Sequence, residues 1–313
     1  MTTARLILLH LAFLAALGAV GLALPAYHEA NLVRIMLLSV FAIGYNIAFG
    51  YAGLLSLGHA LFFAAGMYAA GLGATLGGWG GGTALGAGIA AGALVAFLTG
   101  LLALRASGTA FMIVTLMFAQ AGALTILQFG EITRGDEGFV VPEAARALAG
   151  LPLTDETARF AVAFAAFALA LVGSLLLARS ALGRVLVAMR ENAERARMLG
   201  YDPFRYRLIA LTLSGLCAGT AGALYALAFG YVGASFAGIQ YSILPLLWVL
   251  TGGAGTVLGP FLGTLVMYYL VDLAGAITTA TLMVVGAALL ALVLFAPKGI
   301  LGALRARVAP WLP

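Results

Sequence analysis

The sequence predicts an all-α protein threaded repeatedly through a membrane. Hydrophobic residues make up 64% of the 313 positions and charged residues only 9%. A soluble domain carries about a quarter charged residues, so this chain cannot cover a water-facing surface with ionised groups. Uncharged runs of about twenty residues recur along it, the length a helix needs to cross a bilayer. The 42 glycines fit the same class, because small residues let membrane helices pack closely where water no longer drives association. Disordered, collagenous, disulfide-stapled and nucleic-acid-binding classes fall on these grounds.

Apolar runs read against charged breaks give about ten segments within one membrane domain over 1–313. The first, 6–24, follows Arg5 and ends at Ala23-Leu24-Pro25-Ala26, the outline of a signal peptide. Its uncharged stretch is longer than a signal core, so it reads as an uncleaved span. Segments at 32–50 and 57–76 flank a glycine-broken stretch, and 84–104 and 109–128 follow. An acidic loop with Pro142 and Pro152 occupies 129–159. Segment 160–178 leads into an arginine-rich stretch at 179–207, and 208–230 resumes the membrane pattern. Segment 242–252 is too short for a full span at about 1.5 Å per residue. It is a half-helix or merges with 256–273 across Gly252-Gly253-Ala254-Gly255. The last segment is 280–296.

Charge sets the orientation. With the N-terminus inside, the inner face collects Arg5, Arg105, Arg179, Arg184, Arg190, Arg195, Arg197, Arg205, Arg207, Lys298, Arg305 and Arg307. The outer face keeps only Arg34, Arg134, Arg146 and Arg159. Acids run the other way, with Glu29 and six residues between Glu131 and Glu156 outside. Both termini are therefore expected on the cytoplasmic side.

Missing chemistry narrows the function. The one lysine, Lys298, follows Pro297, so no glycine-rich phosphate loop with its Gly-Lys pair exists. His10, His28 and His59 are too far apart for a helical metal pair, and no metal site or cofactor is expected. Ser56 and Ser214 have no evident acid–base partner, so an enzyme is not expected. Cys217 is alone and reads as a small buried residue. Asp272 is the one acid inside a predicted segment. A buried acid there would be a proton-relay candidate, but the register puts it at the outer end, within reach of water. A proton-coupled secondary transporter built on Asp272 is the alternative function.

Two stretches carry the functional reading. Between Asn46 and Tyr68, Gly50, Gly53 and Gly58 interrupt an apolar run that also holds Asn46, Tyr51, Ser56 and His59. The second interruption, Gly252-Gly253-Ala254-Gly255-Thr256, lies about 200 residues on. Broken helices are tolerated at membrane depth where backbone lines a protein cavity, and transporters use such breaks to make solute paths. Both breaks also suit tight interhelical turns. In the arginine-rich stretch, Leu182, Val185, Met189, Ala193, Ala196 and Gly200 form one helical stripe. The pairs Arg190/Glu194, Glu191/Arg195 and Glu194/Arg197 support an exposed opposite face. Gly200 can end this helix, and Asp202-Pro203 can begin the next. Such a helix either lies on the lipid surface or docks a cytoplasmic partner.

These residues resemble the membrane-spanning subunit of branched-chain amino-acid-type ABC importers. The resemblance runs through Gly50-Tyr-Ala-Gly-Leu-Leu-Ser-Leu-Gly-His-Ala60, Gly108 to Gln120, Gly183 to Asn192 with Leu199-Gly-Tyr201, Ser214 to Tyr225, Gly252 to Pro260, and Leu294 to Gly299. Glu194-Arg195-Ala196-Arg197-Met198-Leu199-Gly200 is similar to the family's Glu-Ala-Ala-x-x-x-Gly coupling motif, with Arg195 for the middle alanine. Thr133-Arg134-Gly135-Asp136-Glu137-Gly138 is similar to its outer-loop Thr-Gly-Gly-x-x-Gly pattern, with Arg134 for a glycine. The resemblance implies a bacterial inner-membrane permease that moves branched-chain amino acids or related solutes such as urea, amides or aromatic acids. It implies a second related permease, two ATP-binding subunits and a periplasmic solute-binding protein as partners. Arg190, Glu191, Glu194, Ala196 and Gly200 would then couple to the ATPases. Asn46, Tyr51, Gly53, Ser56, His59, Gly252, Gly253, Gly255 and Thr256 would belong to the translocation path.

Overall fold

A computed structural model describes residues 3–278, 280–296 and 298–307; Pro297 and both chain ends lie outside them. Helices occupy each of the apolar ranges. They are α1 (Thr3–Ala23), α2 (Ala26–Asn46), α3 (His59–Thr75), α4 (Gly81–Ala103), α5 (Gly108–Gln128), a short α6 (Gly130–Thr133) and α7 (Glu156–Arg179). After α8 (Ala181–Glu191) and α9 (Ala193–Met198) come α10 (Pro203–Phe229), α11 (Ile239–Gly252), α12 (Gly259–Ile277), α13 (Thr281–Phe295) and α14 (Gly299–Arg307). Six of the described helices are long and apolar enough to cross a membrane: α2 with its extension to Tyr51, α4, α5, α7, α10 and α12.

The bundle is built around α2. Of its most apolar stretch 89% is buried, against 17% for the peripheral α5. α10, α7, α12 and α11 pack directly on it, and α3 and α4 pack on α10 and on each other. Glycine spacing explains the closest approach. A Cβ on Gly92 of α4 would come within 2.5 Å of the Gly219 Cα in α10, and one on Gly219 within 2.7 Å of the Gly88 carbonyl oxygen. Gly66 of α3 meets the same Gly219 backbone. The small-residue spacings at Gly88/Gly92 and Gly215/Gly219 are thus packing faces, where side chains would hold the backbones apart.

At one end of the bundle the acidic loop is folded down by two short antiparallel pairs. β1 (Phe139–Val140) pairs with β4 (Tyr231–Val232), and β2 (Ala147–Leu148) with β3 (Leu151–Pro152). Arg146 donates from Nε to the Leu227 carbonyl and from Nη2 to the Ala228 carbonyl, both at 2.8 Å. The guanidinium thereby satisfies free carbonyls at the end of α10 and complements its negative pole. Burial pulls the Arg146 pKa below its ordinary value, with Glu143 acting against that and Arg159 adding to it.

The arginine-rich stretch is not one continuous helix. It breaks at Asn192, whose backbone is extended (φ −159, ψ 102) and whose side chain caps α9 by accepting from Arg195 N at 2.9 Å. The break takes residues 190 and 194 off one helix face. Arg190 therefore pairs with Glu191 at 3.0 Å, while Glu194 and Arg197 pair at 3.3 Å within α9 as expected. Gly200 ends the segment with φ +89, and Asp202 caps α10 through Phe204 N at 3.0 Å.

Candidate functional site at the junction of two helix breaks

The two glycine-rich breaks and the arginine-rich helix meet at one place. α2 does not stop at Asn46 but widens into a π-turn, Ile47–Tyr51, before the chain turns toward α3. The second break, between α11 and α12, lies against it. Asn46 donates from Nδ2 to the Thr256 carbonyl at 2.9 Å and accepts at Oδ1 from Gly255 N at 2.8 Å. One amide side chain thus supplies the donor and the acceptor that a backbone strand would supply. Thr256 Oγ1 closes the turn on the Gly253 carbonyl at 2.7 Å.

Arg190 enters the same junction from α8. Its Nη1 donates to the Gly50 carbonyl, a group that the π-turn leaves available. Its stem runs over Gly53, where a Cβ would meet the Arg190 Cγ at 2.8 Å, and a Cβ on Gly255 would meet Nη1 at 3.0 Å. Gly53 and Gly255 also have φ of +70 and +75, values that favour glycine. A Cβ on Gly50 would overlap the Asn46 Oδ1 and reach within 2.5 Å of Gly255 N. The glycines are required twice, by the turn and by the contact. Gly252 and Gly253 are buried at the end of α11, and a Cβ on Gly252 would overlap the Gly259 carbonyl.

The remaining candidates hold this junction from within. Ser56 and His59 are fully buried, and Tyr51 is 4% exposed. Tyr45 Oη donates to the Ser56 carbonyl at 3.1 Å, and Ser56 Oγ accepts from Gly58 N at 3.1 Å. His59 does have a serine partner: its Nε2 lies 2.7 Å from Ser214 Oγ. The ring packs between Tyr45 and Phe62, and its Nδ1 has no hydrogen-bond partner among the described residues. The pair ties α3 to α10.

On the far side of α8, Gly183, Leu186 and Met189 are buried, and in α9 only Ala196 is. Glu191 and Glu194 are exposed, and so are Met198 (86%) and Leu199 (78%) at the tip. The segment has one face on the bundle and an apolar tip facing away from it. The other end of α2 holds a group that the spacing of charges did not single out. Arg34, the one charge inside the run from residue 30 to Tyr51, stands over the Phe229 ring at 5.0 Å. Asp272 is exposed and accepts from Tyr27 Oη at 2.8 Å.

The profile of the family described as branched-chain amino acid transport system, permease component, matches residues 28–295. The chain belongs to this family. Over 92% of its length it is 30% identical to the high-affinity branched-chain amino acid transport system permease protein LivM of Escherichia coli K12, covering 74% of that protein. It is 28% identical to the LivM protein of Salmonella typhimurium LT2 over the same shares. A shorter part, 31% of the permease, is 40% identical to the autoinducer 2 import system permease protein LsrC of Klebsiella pneumoniae, covering 29% of that protein. No solved structure matches the chain. The matched range covers both breaks, α8 and α9.

Proposed function

We propose that this permease is the membrane subunit of an ATP-driven importer for branched-chain amino acids or related small solutes, and that α8 and α9 link it to the ATPases. The observation that carries this is Arg190: one residue of the arginine-rich segment bonds the Gly50 carbonyl between the two broken helices. A push on α9 would pass through the Asn192 cap to α8 and from Arg190 to the end of α2. The exposed Met198 and Leu199 suit an apolar pocket on a cytoplasmic ATPase, with Glu194 and Gly200 setting the tip's charge and direction. ATP chemistry would sit on two partner chains. A binding protein would deliver solute to the opposite face, and a second related permease would complete the path.

The inner-membrane reading has ten crossings, with both termini and the arginine-rich segment cytoplasmic. α3, at 17 residues, and α11, at 14, cover about 26 and 21 Å at 1.5 Å per residue. They fit this reading because the breaks beside them are shielded by protein. Against the carrier alternative, Asp272 is exposed and accepts a hydrogen bond from Tyr27.

The test is uptake by the reconstituted complex. Glu194→Arg, which reverses the tip's charge, and Gly200→Pro, which cannot hold φ +89, abolish ATP-driven uptake. Asp272→Asn leaves it within about twofold, because a neutral amide still accepts from Tyr27. Loss in Asp272→Asn with normal uptake in the other two would reverse the assignment.

A further inference from the structure

We propose that Arg34 and the rings around it form a solute site at the outer end of this permease, which takes an apolar solute through its carboxylate. The inference rests on the importer reading and adds where, and by what chemistry, the solute is held.

Arg34 lies about 24 Å from Gly50 along α2, at 1.5 Å per residue, so this site and the junction occupy opposite ends of one helix. An arginine in an apolar helix is costly and ordinarily finds an acid. The ion pairs among the described residues join Arg159 to Glu156, Arg190 to Glu191, Arg197 to Glu194 and Arg205 to Asp202. Arg34 has no carboxylate among them. Its hydrogen bond is a long one, from Nη1 to Tyr268 Oη at 3.5 Å, and Tyr268 in turn donates to Asn31 Oδ1 at 3.1 Å. That relay fixes the direction of the guanidinium and leaves most of its five donors unused.

Beside it lies an apolar wall. Phe229 lies 4.6 Å from Tyr225, Tyr225 lies 5.3 Å from Phe236, and Phe236 lies 4.8 Å from Tyr241. Phe63 closes the back and is fully buried, whereas the other four rings and Arg34 are only half-buried. Four rings from α10, α11 and the turn between them thus turn part of their surface outward around the Arg34 guanidinium, and the Arg159 guanidinium, already paired with Glu156, lies 5.9 Å from the same Phe229 ring. A guanidinium binds a carboxylate through two parallel hydrogen bonds, and ring faces accept a branched aliphatic chain. A neutral polar solute would leave the guanidinium unmatched.

The test uses the complete complex, with its partner permease, ATPases and binding protein, in vesicles of zwitterionic lipid, and radiolabelled L-leucine as probe. The expected result is that Arg34→Gln lowers leucine moved per ATP hydrolysed by about tenfold, the scale of a lost charge-assisted pair. Stimulation of ATP hydrolysis by the loaded binding protein stays within about twofold, and Arg34→Lys recovers part of the loss. Phe236→Ala lowers the same ratio more for leucine than for alanine. An unchanged ratio in Arg34→Gln overturns the site, and so does a parallel fall of uptake, hydrolysis and recovered complex, which would make Arg34 an assembly residue. A defect seen only in vesicles with anionic lipid would assign Arg34 to an anionic lipid headgroup and also overturn it. Wild-type complex that moves no leucine with ATP would instead fail the importer reading itself.

Discussion

Replacing Asn46 by alanine removes a side chain that hydrogen-bonds one break to the other. Two backbone groups then lose their partner, the Thr256 carbonyl and the Gly255 N–H. An unsatisfied buried group costs about 1–3 kcal/mol. Thr256 is 5% exposed and takes the full penalty, whereas Gly255 is half-buried and recovers part of it from water. The docked junction is therefore weakened by about 2–4 kcal/mol, which lowers its population relative to the undocked form about 30-fold to 1,000-fold. Measured on the reconstituted complex, basal ATP hydrolysis continues while solute uptake per ATP falls at least tenfold. Ser39→Ala is the matched control, because Ser39 Oγ bonds only the Ile35 carbonyl of its own helix, and it leaves both rates unchanged. Normal coupling in Asn46→Ala would refute the idea that the breaks act as one unit.

Arg134 holds a left-handed backbone (φ 61), so Arg134→Gly raises stability by about 1 kcal/mol, read as a higher thermal midpoint in detergent; an unchanged midpoint would show that the loop relaxes freely. Arg146→Gln strips two charge-assisted bonds from the end of α10, costs about 2–3 kcal/mol, and speeds protease cleavage of the loop 134–155. Gly219→Leu drives a side chain into Gly88 and Gly92 and prevents recovery of folded protein, whereas Gly173→Leu, with open space at its Cβ, is recovered normally. Ser214→Ala leaves His59 Nε2 without its buried partner and costs about 1–3 kcal/mol in thermal stability.

The helices were legible because a membrane segment announces itself by the absence of charge over a fixed length. Residues Asn46, Gly255 and Thr256 were also legible as parts of two interruptions. Their mutual bond was not, since Asn46 addresses backbone atoms some 210 positions away and backbone carries no sequence signal. The break at Asn192 was hidden by the stripe on either side of it, where the apolar spacing continues in phase although the helix does not. An asparagine followed three residues on by its capped N–H was the available cue. Arg34 was counted only as a charge on the sparse side. Its position inside an apolar run of about twenty residues, with no acid within four, was the signal that it does more than set orientation. The loop's strands are two residues each, too short for any alternation to show.

The most direct measurement is cysteine cross-linking from Leu199, at the exposed tip of α9, to the ATP-binding subunits in native membranes, combined with ATP-driven uptake in the same preparation. Cys217 is the only native cysteine and is replaced by alanine first. The importer account predicts a cross-link from Leu199→Cys to an ATPase chain, changed in yield by ATP, and none from Leu169→Cys on the exposed side of α7. A permease that moves solute without ATP, with no ATPase captured at position 199, would contradict it.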